Sequence, residues 1–551
     1  MESQDGPSDM LSDSYFVPPP LEVATMRQQI PPMMTEISEL RSRLKELEGR
    51  FSRYRSATSP LRRVPPEILG EIFHIAMGPA AINFETKRNL TAILLVCKKW
   101  RDAAYLTGKL WGCIVLRLPR TRQMSYEKIS NWMGRSKGFR KTLKIEYDPD
   151  RCDCEEMEVC KLAASWLVEF LVVGRPIHRL EILSLAPRCF QELMDSVKAE
   201  VDGHDLAKSS WNQLQELKLD FEALEAIAPE NFETGGEDVS QSAFRHIPPL
   251  SSLILFLPFY RSLRGEPPSS WTHIHLPPTS LQTLTAFHLD CRWDSPQIFV
   301  LLQHCQSLQT LYLSLHDTSW TWKPENVNVP SLSGDPGCII LPNLRTLAIG
   351  GCTVQTADKL ARHLRVPRLL NLQAAQSPKT TDHSAISKAL IALSPIWVQR
   401  TTIRGSLTLE DTQCSTISAK ELTDLLSRFG DAAHFATSFG FNAKDFLELQ
   451  KLDDAVRLLP SLKHLKITHI KADFDLESFF QYIECRRLVQ SSDEGQADRL
   501  KTLTLSGHPG LDHGQVNQLA RAYRESSYPK LLEESFGIVV NFLPMGSPVY
   551  T

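Results

Sequence analysis

A short apolar motif recurs along most of the chain from about residue 140, and no other feature constrains the fold as strongly. The motif is L-x-x-L-x-L, with isoleucine at the last position in two copies. Its copies are Leu180/Leu183/Leu185, Leu214/Leu217/Leu219, Leu250/Leu253/Leu255, Leu308/Leu311/Leu313, Leu344/Leu347/Ile349, Leu462/Leu465/Ile467 and Leu500/Leu503/Leu505. Looser copies are Leu281/Leu284 with Leu289, and Leu369/Leu372. Such alternation is typical of a β-strand with one buried face.

Segments with helical spacing lie between the copies of the motif. One of them starts with a capping box formed by Ser418 and Glu421, and Gly430 closes it. One strand and one helix cannot bury these leucines alone, so successive units must stack to make a core. The sequence therefore predicts a mainly α/β solenoid.

The repeated strand-and-helix unit resembles a degenerate leucine-rich repeat. The copies are unevenly spaced, with a gap from about residue 375 to 460, whereas regular members of that family repeat every ~20–29 residues. The resemblance implies a repeat domain whose strands line one face. An unrelated α/β domain whose strands share a leucine pattern is the alternative.

Three short helical patterns precede this region, within residues 58–117. The first opens with Pro65-Pro66-Glu67, and proline suits the first turn of a helix. The second follows Asn89, a candidate N-cap. The third contains Trp100 and ends near Gly108, a residue type that often closes a helix.

Three pieces of this segment, in this order, resemble the F-box as it occurs in many fungal proteins: Val64 to Leu69, Leu95 to Arg101, and Leu110-Trp111. The resemblance implies a three-helix module whose apolar face binds a Skp-type adaptor, which in turn binds a cullin. According to the resemblance, twelve residues form that face or support it from behind: Val64, Pro65, Pro66, Ile68, Leu69, Ile72, Phe73, Val96, Cys97, Trp100, Leu110 and Trp111. A module this short leaves apolar surface uncovered, which is typical of a partner site. Packing of that face against the rest of the chain is the alternative.

Apolar residues in steps of four and three lie ahead of the module, as in a coiled coil. They are Met33, Ile37, Leu40, Leu44, Leu47, Phe51 and Tyr54. In a parallel pair of helices, Glu36 would face Arg41 of the partner. Arg43 would face Glu48, and both pairs carry opposite charges. Self-association through residues 33–54 is one interpretation, and a single helix packed on its own domain is the other.

The sequence thus divides into five parts. Residues 1–32 are polar and proline-rich and are expected to be disordered. A coiled-coil helix is predicted for 33–57, the F-box for 58–117, an irregular leucine-rich-repeat domain for 118–545 and a tail for 546–551.

Composition narrows the partners and the compartment. The formal net charge of -3 argues against general attraction to nucleic acid or anionic membrane. No apolar run approaches the ~18 residues of a membrane-spanning helix, and the polar start lacks a secretory signal. We therefore expect a protein of the cytoplasm or nucleus, without nucleic-acid or membrane partners.

The cysteine cluster Cys152, Cys154 and Cys160 could begin a zinc site, but no second pair of ligands at zinc-finger spacing completes the site, so no metal site is expected.

No nucleophile elbow, P-loop, zinc-protease helix or dinucleotide fingerprint occurs, so we expect a binding protein that is no enzyme and needs no cofactor. Together with the two resemblances, this indicates the substrate-recognition adaptor of a cullin-type (SCF) ubiquitin ligase, with a protein substrate that the sequence does not name. A non-degradative leucine-rich-repeat scaffold, with a lapsed or non-ligase F-box, is the alternative.

Aromatic residues follow three successive predicted strands of the repeat region. In a repeat solenoid, residues just after the strands form a rim that presents binding side chains. The aromatic residues are Phe259, Tyr260, Trp293, Trp320 and Trp322. Aromatic side chains dominate the energetics of protein interfaces, so these five are candidate substrate contacts. The alternative is that their rings fill gaps between irregular repeats.

Overall fold

The structure is a computed structural model of the chain. It describes residues 19–77, 84–118, 126–147, 160–203, 209–221, 244–257, 276–291, 295–315, 338–351, 353–375, 384–400, 405–410, 418–438, 459–470, 474–490, 500–507 and 513–543. The chain forms two compact units. The first comprises Met1–Gly78 and Thr91–Thr107, and the second comprises Pro79–Leu90 and Gly108–Thr551.

The first unit begins with one long helix, α1 (Pro20–Thr58). The helix starts well before Met33. Residues 1–32 were predicted to be disordered, but those from Pro20 onward are helical. The physical reason is that Leu, Glu, Ala, Met, Arg and Gln, all strong helix formers, fill most of that stretch. Pro31 and Pro32 lie inside the helix, where each removes one amide donor from the backbone ladder.

Three shorter helices follow α1. They are α2 (Pro66–Met77), α3 (Phe84–Val96) and α4 (Lys98–Leu106). Cys97 separates α3 from α4 because its backbone is extended, with φ −163° and ψ 169°. The Thr107 amide closes α4 by donating to the carbonyls of Ala103 and Ala104. The three helical patterns of the sequence are therefore three helices, although α3 begins at Phe84 and Asn89, the predicted N-cap, lies inside it.

The second unit is built on parallel β-structure. Its strands are β1 (Cys113–Leu118), β2 (Thr142–Tyr147), β3 (Arg179–Leu183), β4 (Glu216–Asp220), β5 (Ser252–Phe256), β6 (Ala286–Cys291), β7 (Thr310–Leu315), β8 (Ile339–Ile340), β9 (Thr346–Gly350), β10 (Leu364–Arg365), β11 (Asn371–Ala375), β12 (Gly405–Glu410), β13 (Ala432–Thr437), β14 (His464–Ile470), β15 (Thr502–Gly507) and β16 (Val539–Leu543). Within the described residues, fourteen of them form one parallel sheet in chain order, and β8 and β10 pair with each other.

Helices alternate with these strands along the chain. They are α5 (Tyr126–Gly134), α6 (Ser165–Val172), α7 (Pro187–Asp202), α8 (Pro278–Gln282), α9 (Ser295–Leu302), α10 (Val354–His363), α11 (Ser384–Val398), α12 (Ala419–Arg428), α13 (Leu476–Gln490) and α14 (His513–Glu525). The capping box predicted at Ser418 and Glu421 is present at the start of α12. No helix among the described residues is long and apolar enough to cross a membrane. The protein is thus mixed α/β with a large parallel sheet.

The core of this unit is a ladder of aligned apolar side chains. Leu219 pairs with Leu255, which pairs with Leu289, and all three are buried. The same alignment continues to Leu313 and Ile349 on the next two strands of the sheet. Each strand alone would expose its leucines, so the ladder exists only because neighbouring strands stack in register.

Two details of the predicted strands need correction. In β3 the buried residues are Leu180 and Ile182, which pair with Leu217 and Leu219, while Leu183 is only half-buried. Isoleucine fills the same apolar position as leucine, so the copy that matches the sheet is Ile177/Leu180/Ile182, and a pattern written for leucine alone sets the register three residues late. The gap from 375 to 460 also holds two further strands, β12 and β13, in which Leu407, Leu409 and Phe435 are buried.

The boundary predicted at residues 117 and 118 falls inside β1, which belongs to the sheet. The alternating apolar residues of β1, Ile114, Leu116 and Leu118, are all buried, which explains why the sheet begins so early. Leu110 and Trp111 therefore belong to the second unit.

Candidate protein-docking surface

Helix α2 uses one of its two apolar stripes to build the first unit. Leu69 and Phe73, four residues apart, are buried. The Phe73 ring lies with its centroid 4.9 Å from that of Trp100 on α4. Aromatic pairs at this distance stabilise a contact beyond the area that they bury. These two residues therefore hold α2 against α4.

The other apolar stripe of α2 is left uncovered in this unit. Ile68, Ile72 and Ile75 are 52%, 43% and 75% exposed. At 3.6 residues per turn they lie within about 60° of one another around the helix axis. We call these three residues the isoleucine face. Leu95 and Val96, at the end of α3, are also exposed. Grouped apolar side chains of this kind are typical of protein-binding surfaces.

Small residues set how closely α2 and α4 approach. A Cβ atom added to Gly70 would lie 1.9 Å from Oγ1 of Thr107. That hydroxyl donates a hydrogen bond to the Ala103 carbonyl at 2.9 Å, so it is not free to swing away. Ala103 and Ala104 are fully buried beside it. Gly70 is therefore a packing requirement that helical periodicity did not reveal.

The remaining residues assigned to the adaptor-binding face are divided by the structure. Val64, Pro66 and Trp100 are half-buried, whereas Pro65, Val96 and Cys97 are exposed. Leu110 and Trp111 are buried in the second unit, where the Trp111 ring lies 4.8 Å from that of Trp132. The assigned set therefore contains exposed residues that can contact a partner and buried ones that support the fold.

Several candidate residues lie outside the part of the chain that the structure describes. These are the aromatic residues Phe259, Tyr260, Trp293, Trp320 and Trp322, and the cysteines Cys152 and Cys154. Cys160 is described and buried. Its hydrogen bond with Cys189 lowers the pKa of the Cys160 thiol to about 6. Cys189 also lies 3.2 Å from the Tyr147 hydroxyl. In the described ranges no three metal-ligating side chains come together.

A row of rings crosses the sheet at positions that alternate with the buried leucines. The centroids of Phe256 and His288 are 5.0 Å apart, and those of His288 and Tyr312 are 4.0 Å apart. The ammonium of Lys218 lies 5.0 Å from the centroid of the Phe256 ring. Burial, followed by the charge of Lys218, lowers the pKa of His288, while Asp290 opposes this change. We call Phe256, His288 and Tyr312 the aromatic row.

The leucine motif does not reveal the aromatic row, because the three rings lie at positions between the leucines. Successive side chains of a strand point to opposite faces, so these intervening positions lie on the face away from the leucine core. Aligning the third residue of each of these two strands, which lies between the two core residues, places His288 beside Tyr312. That alignment was within reach of the sequence, and it is the signal that would have found two of the three rings.

On the first strands the same face carries charges that are already paired. Arg179 lies 2.7 Å from Glu181 and 3.2 Å from Glu216, and Arg117 lies 2.7 Å from Glu146. Ion pairs that are partly open to water contribute little stability, and they leave little net charge to attract a partner. The aromatic row is therefore a better candidate for contact with a partner than the charged residues of these strands.

Comparison of the chain with protein-family models and with curated proteins returns no match.

Proposed function

We propose that this chain is the substrate-recognition adaptor of a cullin-type (SCF) ubiquitin ligase. In this proposal the F-box-like segment binds a Skp-type adaptor, and the sheet-containing unit, as a degenerate leucine-rich-repeat domain, binds a protein substrate. The single observation that carries it is the isoleucine face. It lies on the first helix of the F-box-like segment, and it remains exposed although the same helix buries Leu69 and Phe73.

The energetics of the isoleucine face suit a docking surface. Full burial of an isoleucine side chain stabilises by about 1.5–3 kcal/mol, and these three side chains are about half-exposed, so covering them would contribute on the order of 3 kcal/mol. That amount is too small to bind a partner alone. Leu95 and Val96, at the end of α3, are further exposed apolar side chains of the same segment, and we include them in the proposed interface.

The repeat interpretation is supported by the order of the strands. In the part of the chain that the structure describes, the fourteen strands of the main sheet are parallel and follow the chain order, with leucines aligned from strand to strand. Units that stack in sequence in this way are typical of repeat proteins, which present long surfaces to partners. For substrate contact we propose the aromatic row, because rings bury much area at a small cost in side-chain entropy.

The test of adaptor binding is Ile72→Asp, measured with a purified Skp-type adaptor by calorimetry or a pull-down titration. Covering the new carboxylate without a partner charge would be unfavourable, so we expect affinity to fall at least about thirtyfold. Leu69→Asp is unsuitable because Leu69 is fully buried and its loss would unfold the module.

Val300→Asp is the matched control. Val300 is a β-branched residue on helix α9 of the second unit, 40% exposed against 43% for Ile72. It should leave adaptor binding and the melting temperature unchanged. Equal affinity of wild type and Ile72→Asp, with the helices of both intact by circular dichroism, would refute the proposed interface.

A second experiment separates the ligase from the non-degradative scaffold. Proteins captured by the wild-type chain are compared with and without proteasome inhibition, and with a Phe256→Ala/Tyr312→Ala variant. A ligase substrate should accumulate under inhibition, be lost from the double variant and require the cullin for ubiquitin transfer. Capture that is insensitive to inhibition and to the cullin would favour the scaffold.

A further inference from the structure

The apolar seam on α1 is longer than the sequence predicted, because the helix itself begins at Pro20. The seam continues in steps of three and four residues over five heptads. Its members are Val23, Met26, Ile30, Met33, Ile37, Leu40, Leu44, Leu47, Phe51 and Tyr54. We call this set the α1 seam. Two apolar residues in seven make a narrow stripe of the width found in coiled coils, not the wider face that packs onto a globular core.

The α1 seam is uncovered from Ile30 onward, while Val23 and Met26 are partly buried. From Ile30 to Tyr54 its side chains are each 46% to 67% exposed. A single helix in water is only marginally stable even when its sequence favours it, and most helices depend on packing of their apolar face. Eight successive seam residues left half-exposed on a helix of 39 residues therefore indicate that another helix covers them.

We propose that the α1 seam is covered by α1 of a second copy of this chain, in a parallel two-stranded coiled coil. With Ile37 at position a, the first three a positions are Val23, Ile30 and Ile37, which are all β-branched. The corresponding d positions are filled by methionine or leucine up to Leu47. β-Branched residues at a with leucine-like residues at d favour two parallel strands.

Charges beside the seam fit the same partner. In a parallel pair each g residue faces the e residue five places later on the other helix. Three such pairs have opposite charges: Glu22 with Arg27, Glu36 with Arg41, and Arg43 with Glu48. The pair Arg50 with Arg55 has like charges. The coil is therefore held along its first four heptads and is weakest at its end.

The two prolines do not interrupt the seam. Pro31 and Pro32 occupy positions b and c, which point away from the partner helix in a two-stranded coil. The carbonyls that lose their amide donors are those of Arg27 and Gln28, four residues before the prolines. The prolines weaken the backbone ladder at this point, while Ile30 and Met33 keep the seam continuous.

Dimerisation would give the complex two copies of every binding surface. On the proposed function, two adaptor-binding modules and two substrate surfaces would act together. A substrate with two recognition sites would then bind more tightly through effective concentration, without any new contact. The dimer itself does not rest on the proposed function, so its test uses mass and not adaptor binding.

The mass of the full chain is measured by sedimentation equilibrium between about 1 and 50 μM, a range suited to coils of a few heptads. Wild type should approach twice the chain mass. Leu40→Glu/Leu47→Glu, which places charges in the seam, should have the mass of one chain. Gln28→Glu/Ser42→Glu places the same charges at exposed f positions and should remain dimeric. A monomeric wild type, a trimer, or a seam variant that still dimerises would overturn the proposal.

Charge exchange tests the parallel orientation. Glu36→Lys should weaken the dimer by about fivefold, because it faces Arg41 in both symmetric pairs. Adding Arg41→Glu should restore wild-type affinity. In an antiparallel coil, position 36 instead faces a g residue of the other helix and not position 41, so the second change would not restore binding. Failure of the double variant to recover would therefore overturn the parallel arrangement, and the melting temperature of the sheet checks that every variant is folded.

Discussion

The two units of this protein treat the same kind of side chain in opposite ways. In the sheet, aligned residues such as Leu219, Leu255 and Leu289 are buried by the strands beside them. In the first unit, the residues of the isoleucine face and of the α1 seam from Ile30 to Tyr54 are each 43% or more exposed. A stacked sheet buries its own apolar residues, whereas a few short helices and one isolated long helix do not. The contrast separates residues that serve folding from residues available for binding.

The largest expected effect is a loss of stability in the sheet-containing unit. Leu255→Ala should lower the free energy of unfolding by about 2–5 kcal/mol, because Leu255 is fully buried between two neighbouring strands. Ile72→Ala removes an apolar side chain of the same size from the isoleucine face, and it should cost less than ~1 kcal/mol. Urea unfolding gives both values, and hydrogen exchange assigns each to its unit. Similar losses for the two variants would abolish the contrast between the units.

A smaller effect sharpens the comparison within the first unit. Gly70→Ala should destabilise α2 by about 1–3 kcal/mol, since the added methyl group collides with Thr107. Gly49→Ala, in α1, should stabilise its helix by about 0.5–1 kcal/mol, because nothing lies within 4 Å of the added atom. Protection of the α2 and α1 amides against hydrogen exchange measures both changes.

The collision at Gly70 can be relieved from the other side. Thr107→Ala removes the hydroxyl that stands 1.9 Å from the added atom, while the Thr107 Cβ would remain 3.1 Å away. Gly70→Ala/Thr107→Ala should therefore recover part of the lost stability. If the two substitutions were simply additive, packing between α2 and α4 would not be the cause of the loss.

The strands were predictable because a period of two with large apolar residues leaves few alternatives to a half-buried strand. The register of β3 was predicted wrongly because isoleucine stands there in place of leucine. The end of the helical module was predicted too late because β1 carries no L-x-x-L prefix and was not recognised as a strand. In both cases the pattern was defined by residue name, whereas burial depends on volume and polarity.

The division of α2 into two stripes could not be predicted. Ile68, Leu69, Ile72 and Phe73 all fit helical spacing, and only the position of α4 decides which of them are buried. The requirement for Gly70 depends on the same contact. Pairing of Phe256 with His288 depends on how side chains lean across the sheet, which no linear pattern contains. Tertiary contact, and not propensity, determines these features of the candidate site.

The smallest expected effect is a dependence on pH that belongs to the sheet. His434 and His464 occupy paired positions on β13 and β14, and their rings stack with centroids 4.3 Å apart. Burial lowers the pKa of both rings, helped by Lys463 and, for His434, by the other ring. Among the described residues, the other histidines with a lowered pKa, His178, His246 and His288, also lie in the second unit.

A lowered pKa in the folded state means that folding favours the neutral rings. Their contribution to stability is therefore complete above about pH 6.5, the ordinary value for histidine in an unfolded chain, and is lost as the pH falls from there through the lowered pKa of the pair. His434→Gln/His464→Gln should reduce the fall in melting temperature between pH 7.5 and pH 5 by a degree or two. Ile72→Ala should leave that fall unchanged, because Ile72 lies in the first unit and neither residue has a titratable side chain. An unaltered pH dependence in the double variant would show that the stacked pair does not contribute, and it would point to the other described histidines with a lowered pKa, His178, His246 and His288.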